Sequence, residues 1–395
     1  MENTLVMENT GKESRIVFID YLRAFVTLLV LGHHSCLAYT TFANFNASHY
    51  LASSAPIVDK VRWGFLDYAE NFNDVYFMSL MFAISGLFVW PLLEKRGVLT
   101  FLKDRILRLG VPFVVGVFFL MPLAYFPSWR LAGGNGGYLS YWLQFITKDG
   151  WSSGPLWFIW VLLLFDILAA LLFLIVGRKE WALTIKSPLK SALIIFVITF
   201  FAYVPLLARF GFGTWVPFLS PPFWFQLPRI GLYFIWFIVG ILIGMNGIKE
   251  SILATDGPLA RRWLFWIIAS VVVYNLLWFV PGKFVLQAMN APQIVRDLAY
   301  VILWVLSCTI SCYGFFALFT GLNNKSRPWL DKVVKFAYIM YIVHYVFVTW
   351  AQYFLLNISL PAALKFIVVF VIVVALSMLT AKLILKSPKL ATWLH

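Results

Sequence analysis

Stretches of about 20 apolar residues recur along the whole chain, and a segment of that length and character is satisfied only as a helix crossing a bilayer. Ten can be marked, at roughly 16–40, 67–91, 106–126, 155–176, 189–208, 223–245, 263–281, 297–320, 334–356 and 362–385. The predicted fold class is therefore all-α, a polytopic membrane helix bundle of about ten transmembrane helices. Composition agrees: 62% of the 395 residues are hydrophobic and 12% charged, far from the profile of a soluble domain. The first run is too long for a signal-peptide core and has no small-residue cleavage site, so it is expected to be retained as a span.

A net charge of +14 would point to nucleic acid in a soluble protein. Here the basic residues fall in short connections between apolar runs, so they report topology and no nucleic-acid partner is expected. With the N-terminus in the cytoplasm, the 31 Lys and Arg residues divide 21 inside to 8 outside, with Arg23 and Arg229 within runs. That bias places both termini in the cytoplasm. The expected organisation is a disordered tail at 1–15, a single transmembrane domain at 16–385 and a cytoplasmic tail at 386–395. No internal repeat is evident, which argues against transporter folds built from repeated halves. Cys308 and Cys312 share a helical face without His or carboxylate residues nearby in sequence, so no metal site is expected, and packing is expected for all three cysteines, Cys36 included.

Charges inside apolar runs carry the information, because they are unfavourable in hydrocarbon unless compensated. The first run holds Asp20, Arg23, His33 and His34. Arg23 and His34 are 11 positions apart, about three helical turns, so they share one face roughly 16 Å apart along the axis. Asp20 sits beside Arg23, and His33 points about 100° away. Either a polar seam between helices or a working site is consistent with this stripe. Later runs add Asp166, Arg229 and His344; each suits a structural pair or a wall of a substrate site. A carboxylate as deep as Asp166 must be paired or protonated. Trp129, Trp142, Trp151, Trp157, Trp215 and Trp224 gather on the outer side, where interfacial anchoring is expected ahead of sugar stacking. The stretch 127–153, with GGNGG at 133–137, reads as a flexible connection.

The spacing D-x-x-R-x10-H, here Asp20, Arg23 and His34, resembles the first membrane helix of the acyltransferase-3 family, membrane enzymes that O-acylate carbohydrates and other acceptors. FAISGLFVWPLLEKRG resembles that family's F-x-x-SG-F segment, in which Ser85 and Gly86 suit close helix approach better than nucleophilic chemistry. FLKDRILRLGVPF resembles its R-x-x-R-x-x-x-P helix start and supplies Lys103, Arg105 and Arg108. GPLWF resembles its LWF segment, and Tyr341 with His344 its late Y-x-x-H. The LLEKRG and RLGVPF stretches look most like the branch that modifies periplasmic glucans.

The resemblance implies an acyl-CoA-dependent acyltransferase moving a small acyl group, acetyl or succinyl, onto a hydroxyl of an extracytoplasmic carbohydrate or glycolipid. It implies a bacterial inner-membrane location, acyl-CoA as donor with no permanently bound cofactor, and contact with membrane lipid. Lys103, Arg105 and Arg108 would hold the coenzyme A phosphates, for which guanidinium donors are suited. Arg23, held by Asp20, would line the donor path. His34 would act as general base, with a covalent acyl-histidine as a variant. His33, Asp166, Arg229 and His344 remain substrate-site candidates. The soluble domain of some members is not seen here, so the loops, a second copy or a partner envelope enzyme would deliver the acceptor. The rival reading is a transporter or lipid flippase that uses the same polar residues as a path.

Overall fold

The computed structural model describes residues 16–177, 187–282, 285–322 and 325–387. The tail expected at 1–15 lies outside them, as does the part of the tail expected at 386–395 that runs from 388 onward. The described chain forms an all-α membrane bundle: α1 (Val17–Leu37), α2 (Gly64–Arg96), α3 (Val98–Leu131), α4 (Gly154–Val176), α5 (Pro188–Phe210), α6 (Leu227–Met245), α7 (Trp263–Phe279), α8 (Gln293–Leu322), α9 (Pro328–Leu355) and α10 (Ala362–Ile384). Among the described residues nine of these are long and apolar enough to cross a membrane. The exception is α7, whose 17 residues rise about 25 Å, at the lower limit for a crossing. Successive helices run in opposite directions, so α1, α3 and α9 begin at one end of the bundle, here called proximal. Tyr21 of α1 marks that end: its hydroxyl donates to Asp331 Oδ1 at the start of α9, 3.0 Å away.

The closest helix contact follows from small residues, as the Ser85–Gly86 segment led one to expect. A Cβ at Gly86 of α2 would stand 2.2 Å from the Phe237 carbonyl oxygen of α6. One at Gly240 or Gly244 would stand 2.0 Å from the carbonyl oxygens of Ala83 or Leu87. Backbone therefore meets backbone along this seam, which only glycine permits. Ser85 turns its hydroxyl back onto Met81 O at 2.8 Å, within its own helix.

Prolines shape α3. A proline removes its own N–H and orphans the carbonyl four residues earlier. Pro112, Pro122 and Pro127 thus free the carbonyls of Arg108, Phe118 and Leu123. Each orphan accepts from an aromatic side chain: Tyr338 Oη to Arg108 O, Trp142 Nε1 to Phe118 O at 2.8 Å, and Trp350 Nε1 to Leu123 O at 3.0 Å. Two π-helical turns, Ile106–Gly110 and Gly116–Leu120, absorb the misfit, and Trp151 Nε1 bonds the loosened Val117 O at 2.9 Å. The prolines therefore do not end α3; they create the acceptors that dock it on α9 and on the distal connection.

This changes the reading of 127–153. In place of a flexible loop, α3 runs through Pro127 to Leu131 and a short helix, Tyr138–Thr147, packs back against it. Tryptophans read as interfacial anchors turn their indole N–H groups onto backbone carbonyls of the protein. Besides Trp142 and Trp151, Trp224 bonds Gly150 O at 3.2 Å. A small hairpin, β1 (Trp215–Pro217) with β2 (Trp224–Gln226), pairs antiparallel with Val216 opposite Phe225 and caps α4 through Trp160 Nε1 to Trp224 O at 2.9 Å. The distal face is closed at its other edge by Lys365 Nζ of α10 on Asp59 Oδ2, 2.6 Å apart with each side chain 1% exposed.

Candidate active site

The site is built where α1 crosses α9. Gln352 of α9 donates its Nε2 to His34 O at 3.0 Å and Ser35 O at 3.2 Å, fixing the two helices in register. That brings His34 and His344 together, ring centroids 5.3 Å apart, although they lie 310 residues apart in sequence (344 − 34). Tyr345 meets His34 edge-on at 5.1 Å. The other wall is the start of α4. Gly154 sits at φ +48° with Met121 and Tyr345 against it; an added Cβ would lie 2.6 Å from Met121 Sδ. Pro155 O accepts from Tyr341 Oη. The GPLWF segment thus pins the turn that borders the histidines.

The tautomer of His344 follows from its partner. Its Nδ1 lies 2.6 Å from Tyr341 O, and a carbonyl only accepts, so Nδ1 carries the proton. The neutral ring then presents a lone pair at Nε2, which is buried and without a hydrogen-bond partner, as is Nδ1 of His34. Unpaired buried nitrogens of this kind are unfavourable by about 1–3 kcal/mol each and cluster at functional sites. Among the described residues no group of three His, Cys, Asp or Glu side chains is arranged to hold a metal ion.

His33 does not simply point away. Its ring stands 5.1 Å from that of His34 at a right angle and stacks on Phe77 at 5.0 Å. Its Nε2 faces Glu70 Oε1 of α2 at 3.5 Å, both side chains nearly buried. Glu70 and, one turn on, Asp74 were missed in the sequence, although two carboxylates four apart in an apolar run are the same signal that flagged Asp166. Asp74 receives Arg229 in a two-pronged pair, Nη1 to Oδ1 at 2.9 Å and Nη2 to Oδ2 at 2.6 Å. Arg229, 2% exposed, also lies over the rings of Phe212 and Trp304, at 4.5 and 5.1 Å. The pair lies on the distal side of the bundle.

Asp166 finds its partner in Arg105, whose Nε is 3.2 Å from Oδ2. Neither carboxylate oxygen receives a well-directed hydrogen bond, so the attraction is charge on charge. Of the expected phosphate-binding trio, Arg105 is therefore turned inward toward α4 and over Phe101, while Lys103 and Arg108 stay exposed. Arg23 pairs with Asp20 at 2.8 Å, as the spacing implied, and is 45% exposed at the proximal end. The helix α1 carries Arg23 and His34 on one continuous run, without contact between them.

A family model described as an acyltransferase domain matches residues 16–382. The chain belongs to the acyltransferase-3 family. No curated protein and no solved structure matches it. The match spans all ten helices, and this acyltransferase places its paired histidines on the first and ninth of them.

Proposed function

We propose that the acyltransferase moves a small acyl group, acetyl or succinyl, from cytoplasmic acyl-coenzyme A to a hydroxyl of an extracytoplasmic carbohydrate or glycolipid in the bacterial inner membrane. The supporting observation is the meeting of His34 and His344 in the bundle interior with unpaired ring nitrogens, between a cation-bearing proximal end and an aromatic distal end. Tyr338, which receives α3 at Arg108, is six residues before His344 on α9, about 9 Å of helix rise. Phosphates held by Lys103 and Arg108 would leave the pantetheine arm that gap to span toward the histidines. Arg23, steadied by Asp20, would flank the same entrance. Arg105 and Asp166 act by docking α3 on α4, and Arg229 by holding α2.

In the transfer, His34 takes the proton of the acceptor hydroxyl as its oxygen attacks the thioester carbonyl. The new C–O bond forms, the C–S bond breaks, and the imidazolium returns its proton to the departing thiolate. His344 Nε2 supplies a fixed hydrogen-bond acceptor for a neighbouring hydroxyl of the acceptor. Glu70, 3.5 Å from His33 Nε2, borders the ring that packs edge-on against His34.

Release of free coenzyme A from acetyl- and succinyl-coenzyme A by purified protein, supplied with membrane extract as acceptor source, tests this. His34→Ala is expected to lower turnover about 10²–10⁴-fold, the usual contribution of a general base, with thermal unfolding unchanged. Equal turnover in variant and wild type would defeat the assignment. Movement of an acceptor across vesicles without thioester loss would favour a transporter.

A further inference from the structure

At the distal end, α2, α7, α8 and the connection between the last two line a half-open cavity of about 360 Å³ that is separate from the histidine site. Its walls are aromatic: Trp278 from the end of α7 and Tyr300 from the start of α8 are partly exposed, with Tyr274 and Trp304 buried behind them. Its rim is polar and already ordered. Gln293 donates Nε2 to Asp297 Oδ1 at 2.6 Å and accepts from Arg296 Nη2, and Arg296 Nε is buried without a partner. Cation and carboxylate balance, so the lining has no excess charge to attract a phosphate. Trp304 belongs to two places at once: it lines the cavity and carries Arg229 over its ring. From Arg229 the chain of contacts continues through Asp74, one turn from Glu70, to His33 and His34.

We infer that this cavity binds a neutral hexopyranose, as a free glycan or as the headgroup of a glycolipid. A pyranose offers an apolar C–H face to aromatic rings and a belt of hydroxyls that donate and accept, which is what the walls and the Gln293–Arg296–Asp297 rim match. The volume is that of a small-ligand site. The inference does not depend on the acyl-transfer reading: the cavity is separate from the histidine site, and binding stands apart from turnover.

Tryptophan fluorescence of the full chain, held in a detergent without a sugar headgroup, is titrated with maltose and cellobiose as free glycans and with octyl glucoside as a glycolipid mimic. At least one is expected to give a saturable change, and the arm that responds identifies the source. Trp278→Ala and Gln293→Ala are each expected to weaken that binding at least tenfold, with Trp278→Phe recovering most of it. His34→Ala is expected to abolish turnover while the sugar-induced change persists. No saturable response in any arm, or responses equal in wild type, Trp278→Ala and Gln293→Ala, overturns the cavity assignment even if thioester turnover is found. Saturable, Trp278-dependent binding without thioester turnover would uphold the cavity and defeat the acyl-transfer reading.

Discussion

The two ends of the bundle treat charge in opposite ways. At the proximal end Lys103, Arg108 and Arg23 lie exposed, Arg23 sharing its charge with an adjacent Asp20. Toward the distal end the cations are paired inside the bundle: Lys365 with Asp59, each side chain 1% exposed, and Arg229, 2% exposed, with Asp74. Exposed cations keep their field available for an anionic ligand at little loss of stability, because water screens them. A sealed pair has no charge left to offer, but it makes each partner depend on the other. The first arrangement suits a phosphate-bearing donor; the second suits a rigid frame that holds histidines in register.

The sharpest way to break this contrast is to remove one member of a sealed pair. Lys365→Ala leaves Asp59 as an uncompensated buried carboxylate, and breaking such a pair is destabilising by about 3–5 kcal/mol. Lys365→Ala and Asp59→Ala should each lower the thermal unfolding temperature in detergent markedly, and the double variant should recover much of the loss. Arg108→Ala, at the other end, should leave that temperature nearly unchanged. If single and double variants unfold alike, the distal pair is not a coupled unit and the contrast fails.

Much of this division could be read before the structure. Ten apolar runs gave ten helices, and the hydropathy of the seventh did not betray that its helix is only 17 residues long. His34, His344, Asp166 and Arg229 stood out because a polar group in hydrocarbon needs a reason. Their partners did not, since Arg105 to Asp166 and Asp74 to Arg229 close over 61 and 155 residues (166 − 105 and 229 − 74). Glu70 and Asp74 were legible by the same rule and were passed over near the edge of a run. The connection at 127–153 was misread for a physical reason: a proline signals a break only when nothing donates to the backbone carbonyl it frees. Here Tyr338, Trp142 and Trp350 supply the donors from elsewhere.

Those donors give the next prediction. Trp350→Phe keeps the ring and deletes the N–H that satisfies Leu123 O, a bond of 3.0 Å. An orphaned carbonyl should destabilise the protein by about 1–3 kcal/mol, less than breaking the Lys365 pair and more than removing a surface cation. Because Trp350 docks α3 on α9 far from Lys103 and Arg108, the KM for acyl-coenzyme A should stay close to wild type. A large rise in that KM would mean that α3 and the donor entrance move as one body.

The smallest effect separates the two ends by salt alone. Interactions of exposed charges are screened over about 8 Å at physiological ionic strength, whereas a pair with 1% exposure is screened much less. Raising salt from low to moderate concentration should therefore raise the KM for acyl-coenzyme A severalfold in the wild type and leave the unfolding temperature nearly constant. Lys103→Ala or Arg108→Ala should flatten that salt dependence, since each removes one contact on which it acts. A salt response identical in wild type and both variants would show that the phosphates are held elsewhere, and the proximal cations would then be topology signals alone.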